Sequence, residues 1–215
     1  MSVPTEPKIF HITHLDNLPQ LVSSGCLLSD AQRIKQNLAC QLIGMSSIKR
    51  RRLEEIEVGC HPGTKVGEYV PFYFCPRSIM LYILHKANNS DLHYRGGQRP
   101  IVHLQADLAK TIAWAENNSV RWAFSDRNAG TRVVEFFSRW KDLDQVNWAA
   151  VQSNDFSNAF AKEGKQAEFL LYNAFPWELV EKIGVIDHAA KQKVGTAIAT
   201  SAHQPPIAVE RGWYY

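Results

Sequence analysis

The chain has 215 residues, 45 % of them hydrophobic and 11 % aromatic, and a formal net charge of +3. That length suits one domain with a sizeable mixed core, residues 1–215, and so small a charge does not by itself announce a nucleic-acid binder. No run approaches the roughly 18–20 apolar residues that a membrane span requires, and "MSVPTEPKIF" lacks the basic start and apolar stretch of a signal peptide. A soluble, cytoplasmic protein that does not engage a membrane is expected. Cys26, Cys40, Cys60 and Cys75 form no CxxC pair and fit no zinc module, the neighbouring Cys60 and His61 included. Reduced thiols and no metal site are the expectation.

In chain order, "KIFHITHL" alternates and is β-branched, which predicts a strand over Lys8 to Thr13. Asp16 reads as the N-cap of a helix with Leu15, Leu18, Leu21 and Val22 on one face, closed by Gly25. Ser29 and Gln32 have capping-box spacing and open a second helix to about Leu38. Residues 39–69 read as a long, irregular, polar connection, the kind of loop that often carries function. Inside it "IKRRR" is the densest charge run. Such a run is most often a solvated helix face, and its sharper meaning is a phosphate-binding patch.

"YVPFYF" predicts a short buried strand, followed after Pro76 by a buried helix from Ser78 to Lys86 that is apolar nearly all round. "PIVHLQ" is a strand, and "DLAKTIAWAENN" a helix capped by Asp107. "RWAFSDRNAGTRVVEFF" suggests two extended pieces about a turn at Asn128 to Gly130, before a short helical stretch from Leu143 to Trp148. A strand from Ala167 to Phe175, a strand "KIGVID", a helix from about His188 and a last strand near Ile207 to Val209 complete the pattern. Strands and helices mix without regular βαβ alternation, so the fold class is α+β. The absence of GxGxxG, P-loop and GxSxG motifs sets aside dinucleotide-fold dehydrogenases, P-loop NTPases and α/β-hydrolases.

Three constellations carry possible chemistry. Glu168 places a carboxylate at the edge of a buried strand, which is costly unless its charge is used. His11 and Thr13 share one face of the first strand, as a cleft-lining pair or as two satisfied core side chains. Arg50, Arg51 and Arg52 offer planar forks for phosphate or carboxylate, pointing in different directions. Aromatics near this basic run, Tyr73, Phe74, Tyr82, Trp114 and Trp122 among them, could stack bases, although aromatics are more often core.

The segments "IFHITHLDNLPQLVSSG", "IGMSSIKRRRLEE", "VGEYVPFYFCPRSIMLY", "RWAFSDRNAG", "QAEFLL" and the final "WYY" occur in the order seen in the DarT family. The chain resembles these DNA ADP-ribosyltransferase toxins of bacterial toxin–antitoxin systems nearly from end to end. It departs from their pattern over Gln152 to Gly164, where "FSNAFAKEG" replaces a more acidic run. The resemblance implies an ADP-ribosyltransferase fold, a split mixed β-core with flanking helices and NAD in the cleft. NAD would be consumed as co-substrate, without a metal. The acceptor would be a base in single-stranded DNA: thymidine in one branch, guanosine in another. "VPFYFCPRSIML" and "IKRRR" look closer to the thymidine branch. A DarG macrodomain antitoxin, which binds the toxin and reverses the modification, is the implied partner.

Carried over residue by residue, the resemblance makes Glu168 the catalytic carboxylate and places the catalytic arginine at Arg51 or Arg52, with Arg51 favoured. His11, Ile12 and Thr13 would hold the nicotinamide end of NAD. Gly25, Leu28 and Gln32 would form the adenosine side, and Arg52 would face the NAD phosphates. Lys49, Arg50, Arg52 and Arg77 would contact the DNA backbone, with Tyr73 and Met80 walling the base. Two other readings compete: an enzyme of this fold whose acceptor is protein, RNA or water, and a silent nucleic-acid-binding protein. The costly Glu168 speaks against the second.

Overall fold

The alternating "KIFHITH" becomes the strand β1, Lys8–His14, one of the two strands at the middle of the molecule. The structure, a computed structural model, describes residues 2–153 and 158–215. After β1 come α1 (Leu18–Ser24), β2 (Cys26–Leu28), α2 (Asp30–Lys35), α3 (Ser46–Glu54), β3 (Tyr69–Tyr73) and α4 (Ile79–Lys86). The middle of the chain supplies β4 (Ile101–Asp107), α5 (Leu108–Asn117), β5 (Trp122–Asn128), β6 (Phe136–Phe137), α6 (Trp148–Gln152) and α7 (Ala159–Gly164). The last part supplies β7 (Ala167–Tyr172), β8 (Ala174–Pro176), β9 (Lys182–Val185), α8 (His188–Ile198) and β10 (Ile207–Val209). The expected α+β class is what the structure has.

Eight strands form one mixed sheet in the order β10-β9-β4-β1-β3-β7-β5-β6, and β2 pairs with β8 in a second. Only β10 and β9 run parallel among the described pairs. The large sheet is nearly two half-sheets. β1 pairs with β4 through seven residue pairs and β3 with β7 through five, yet β1 and β3 share one, Phe10 opposite Tyr73. Pro71, with no N–H to offer a neighbouring strand, lies beside the break.

Several local signals act as read. Asp107 accepts the Lys110 N–H at 2.9 Å to cap α5, while Ser78, read as the first residue of α4, precedes it as the cap and accepts the Leu81 N–H at 3.2 Å. Gly25 ends α1 with φ 67°, the left-handed conformation that favours glycine. Others differ. The N-cap of α1 is Asn17, not Asp16, because a short 3-10 turn over Leu15–Asn17 comes first and Pro19 suits only the opening turn of a helix. The Ser29 box is half formed: its hydroxyl accepts the Gln32 N–H at 3.2 Å, but the Gln32 side chain donates to Asn173 at 2.9 Å, and α2 stops at Lys35. The supposed irregular connection contains α3, since "SSIKRRRLE" is built largely from good helix formers. The strand expected over Ala167 to Phe175 breaks at Asn173, whose φ of 62° sends β7 and β8 into different sheets. The stretch from Leu143 to Trp148 divides between a 3-10 turn, Trp140–Gln145, and α6. Of the divergent stretch Gln152 to Gly164, residues 154–157 lie outside the described residues.

Aromatic contacts tie the core together, with Phe72 against Phe175 at 4.5 Å between ring centroids and Trp122 against Phe169 at 6.2 Å. In α4 only Leu81 and Leu84 are buried, and Ile79, Met80 and Ile83 open onto the cleft described below, which corrects the expectation of a helix buried all round. Among the described residues no helix is long and apolar enough to cross a membrane.

His103 on β4 is fully buried, and its Nε2–H donates to the Pro76 carbonyl at 3.0 Å while Nδ1 has no partner. Burial lowers its pKa to about 4. Between about pH 6.5 and that value the unfolded chain holds a proton that the folded chain refuses, so stability falls as pH falls, by about 1.4 kcal/mol per pH unit from this group. Urea unfolding at a series of pH values from 7 down to 5 should show this slope, and His103→Gln should remove its share. An unchanged slope in the variant would assign the acid sensitivity to other groups.

Candidate active site

Where β1 and β3 part, a cleft of about 340 Å³ opens between the half-sheets. His11, Ile12 and Thr13 line it from β1, Pro71 and Tyr73 from β3, and Ile79, Met80 and Ile83 from α4. Residues 38–45, α2 and α3 form the opposite wall. Asn17 tethers that connection: its Nδ2–H donates to Thr13 Oγ1 at 3.0 Å and to the Gln41 carbonyl at 3.1 Å, and its Oδ1 accepts the Gln41 N–H at 2.8 Å.

Glu168 is 2 % exposed and stands opposite Tyr73 on β7. Arg52 Nη1 donates to both carboxylate oxygens, at 3.0 and 2.9 Å, and Nη2 donates to Oε2 at 2.9 Å. The Ala129 N–H adds a fourth bond to Oε1 at 3.2 Å. That last donor follows directly on a bulge. Phe124 pairs with Phe169 and Asn128 with Ala167, so a four-residue step on β5 matches a two-residue step on β7. Ser125 fills the interrupted ladder, accepting the Glu168 N–H at 3.0 Å and donating to the Arg127 carbonyl at 2.6 Å.

α3 supplies the cations by its spacing. Met45 at its N-cap and Ile48, Lys49 and Arg52 recur at helical intervals and all line the cleft. Burial opposes the charge on Arg52, but the Glu168 charge and hydrogen bonds prevail and raise its pKa above the ordinary arginine value. Lys49 Nζ holds both oxygens of Asp30 at 2.7 Å, and Arg33 stands 3.7 Å from the same carboxylate. Burial pushes the Asp30 pKa up, yet the charge and hydrogen bonds of Lys49 hold it below the usual range. Arg33, Lys49 and Arg52 against Asp30 and Glu168 leave the cleft at 3 − 2 = +1. The His11 Nδ1–H donates to the Pro71 carbonyl at 2.8 Å, which leaves Nε2 as an acceptor. Burial, with Lys49 in support, lowers the His11 pKa and keeps the ring neutral.

Of the residues singled out from sequence, Glu168, Arg52, Lys49, His11, Ile12, Thr13, Leu28, Tyr73 and Met80 line this one cleft. Arg51, Arg50, Gly25, Gln32 and Arg77 are not among its lining residues. Arg51 sits one residue, about 100° of helix, round from Arg52, and Arg50 is exposed. The carbonyl of Gly25 accepts the Trp177 N–H at 2.9 Å, Gln32 is spent on Asn173, and the Arg77 guanidinium lies 4.5 Å over the ring of Tyr215. Sequence reasoning missed Asp30, Arg33, Asn17, Asn128 and Gln166, which also line the cleft. Asp30 and Arg33 had a usable signal, an i,i+3 charge pair directly behind a serine cap. Among the described residues no three His, Cys, Asp or Glu side chains gather as a metal site.

A nearly split mixed sheet, with a buried, arginine-held glutamate on a strand of the half-sheet bordering the split, is the arrangement that the resemblance to ADP-ribosyltransferases implies. The family model described as "ssDNA thymidine ADP-ribosyltransferase, DarT" matches residues 10–215. A DNA ADP-ribosyl transferase of Thermus aquaticus is 40 % identical over 219 residues, covering 100 % of this chain and 92 % of that one. The structure of Thermus sp. 2.9 DarT in complex with ADP-ribosylated single-stranded DNA superposes with a TM-score of 0.90 at 33 % identity, covering 100 % of this chain and 99 % of that one. The same protein in complex with NAD+ gives 0.81 at 32 % identity, with 100 % of each chain covered. A DNA ADP-ribosyl transferase–DNA ADP-ribosyl glycohydrolase fusion protein of Thermosipho africanus is 31 % identical over 198 residues, 91 % of this chain and 46 % of that longer one. The chain belongs to the DarT family and is an NAD-dependent ADP-ribosyltransferase of single-stranded DNA.

The geometry separates the two arginines. Removing Arg52 strands a buried carboxylate, so Arg52→Met should lower stability by about 3–5 kcal/mol, whereas Arg51→Met should cost less than about 1 kcal/mol. Urea unfolding of both variants checks this, and equal losses would contradict the pairing.

Proposed function

We propose that residues 1–215 form one transferase domain that moves ADP-ribose from NAD to thymidine in single-stranded DNA, as the cytoplasmic toxin of a toxin–antitoxin pair. The observation that carries this reading is Glu168, buried beside the split and gripped by Arg52 in a cleft of net positive charge. In the reaction the bond from the nicotinamide nitrogen to the ribose anomeric carbon breaks, and its electron pair leaves with nicotinamide. The anomeric carbon becomes oxocarbenium-like, and the Glu168 carboxylate stabilises that charge and positions a ribose hydroxyl. The imide nitrogen of thymine then bonds to the anomeric carbon and gives up its proton to water. A guanidinium is protonated at any working pH and is a poor base. Its role is to stabilise the developing base anion by a charge-assisted hydrogen bond, and its contact with Glu168 favours Arg52 over Arg51 for that role.

Position in the cleft supports the other roles. The acceptor nitrogen of His11, with Ile12 and Thr13, addresses the nicotinamide end of NAD, and Leu28 gives the adenosine end an apolar seat. Lys49 and Arg33 meet the pyrophosphate. Tyr73 and Met80 wall the acceptor base, which single-stranded DNA presents without the few kcal/mol of unstacking that a duplex costs. Arg50 and Arg51, outside the lining, are left to DNA phosphates. Gly25 and Gln32 shape the adenosine side through the backbone and through Asn173. The Thermosipho relative joins a transferase to a glycohydrolase in one chain, which supports a DarG-like macrodomain antitoxin as the partner here.

Intact mass of short oligonucleotides after incubation with NAD tests this. One ADP-ribose should appear on a strand with thymine and no guanine, none on the reverse, and Glu168→Gln should slow the reaction by at least about 10²-fold. Addition to the guanine strand alone would move the acceptor to the other branch. Nicotinamide release with neither strand modified would point to protein, RNA or water.

A further inference from the structure

Trp213, Tyr214 and Tyr215 run along the molecule beside the cleft, and the chemistry above uses none of them. Trp213 lies so close on Gly184 of β9 that a Cβ there would sit 2.2 Å from its ring, and its edge contact with Phe10 (5.2 Å) reaches the one residue through which β1 pairs with β3. The buried Tyr214 hydroxyl donates to the carbonyls of Ile101 at 2.8 Å and Gly184 at 3.2 Å. The Tyr215 N–H donates to Gln98 Oε1 at 3.1 Å, and the Gln98 amide returns a bond to the Tyr215 carbonyl. All these anchors belong to β1, β4, β9 and the loop before β4, one side of the split.

The Tyr215 side chain crosses to the other side. Its hydroxyl donates to the Arg77 carbonyl at 3.0 Å, with the Ser78 carbonyl next at 3.2 Å. These carbonyls belong to the turn that leads from β3 into α4. The Arg77 guanidinium lies 4.5 Å over the Tyr215 ring, and the Tyr82 ring meets it edge-on at 5.1 Å. Burial raises the pKa of Tyr215, so the hydroxyl remains a donor. Tyr215 packs in the same apolar cluster as Ile12, Tyr73, Met80 and Ile83, so the strap and the cleft wall share one body of side chains.

We propose that Tyr215 is a positioning residue: its hydroxyl fixes the Arg77–Ser78 turn, and through it holds α4 at the spacing from β1 that the acceptor base requires. This rests on the reading that Met80 and Tyr73 wall that base. The assignment makes the last aromatic residue a determinant of DNA binding without contact to DNA.

Tyr215→Phe keeps the ring and deletes the hydroxyl. In steady-state kinetics on a thymine oligonucleotide, with DNA and NAD varied separately, the KM for DNA should rise about fivefold, the equivalent of one lost hydrogen bond. The KM for NAD and kcat should stay within about twofold, Met80→Ala should also raise the DNA KM, and the double variant should fall short of the product of the two effects. An unchanged DNA KM in Tyr215→Phe beside a raised one in Met80→Ala would overturn the strap and leave the acceptor wall standing. A silent Met80→Ala would overturn the acceptor wall, and the proposal with it. A parallel rise in both KM values with a lower melting temperature would reduce Tyr215 to ordinary structural support and overturn the proposal as well.

Discussion

A carboxylate withdrawn from water must be given back nearly all the hydrogen bonds that water made with it. At Glu168 this requirement organises three separate parts of the chain. β7 must place the side chain on the cleft face, opposite Tyr73. β5 must bulge so that the Ala129 N–H arrives at Oε1. The serine within the bulge must replace a ladder bond, or the Glu168 N–H would be left without an acceptor. α3 must then lie close enough for Arg52 to span both oxygens. Gly130, in the turn that carries Ala129, allows that approach: a Cβ there would stand 3.1 Å from Ile48 Cγ2 and 3.7 Å from Arg52 Cγ. A carboxylate so confined has little rotamer freedom left to lose when substrate enters, which is what a group aimed at a developing charge needs.

The split in the sheet is the complementary requirement. A fully paired β1–β3 ladder would have filled the space where the cleft lies. Instead one backbone pair at Phe10 and Tyr73 and one side-chain bond, His11 to Pro71, join the edges. The same bond fixes the tautomer of His11, so the contact that bridges the split also decides which imidazole nitrogen is left as an acceptor. The Lys49–Asp30 and Arg33–Asp30 contacts extend charge along the α2 wall and leave the cavity mildly positive. That balance suits an anionic dinucleotide next to an anionic strand.

Short-range chemistry was legible in the sequence and long-range geometry was not. The cap at Asp107, the left-handed Gly25 and the strand at Ile207–Val209 depend on a few adjacent residues, and those residues were enough. Asn173 looked like part of one strand because its left-handed turn is set by partners far away: its N–H bonds the Glu68 carbonyl at 2.8 Å and its side chain takes the Gln32 amide. At the site, Glu168 stood out because a charge in an apolar strand is conspicuous wherever it occurs. The resemblance favoured Arg51 over Arg52, and with residues 39–69 read as irregular no helical face stood against that choice. Once α3 is a helix, the apolar residues Met45 and Ile48 mark the inward stripe, and only Lys49 and Arg52 fall on it.

The identity of that inward residue bears on the chemistry. A lysine beside Glu168 would offer one point charge whose pKa burial pulls down, and a histidine would lose its charge near neutral pH. A guanidinium keeps its charge when buried and carries five N–H donors in a plane. Glu168 engages those on Nη1 and Nη2. The Nε–H is not among them, so under the proposed mechanism a donor in the same plane remains for an anion forming on the acceptor base while the carboxylate stays held.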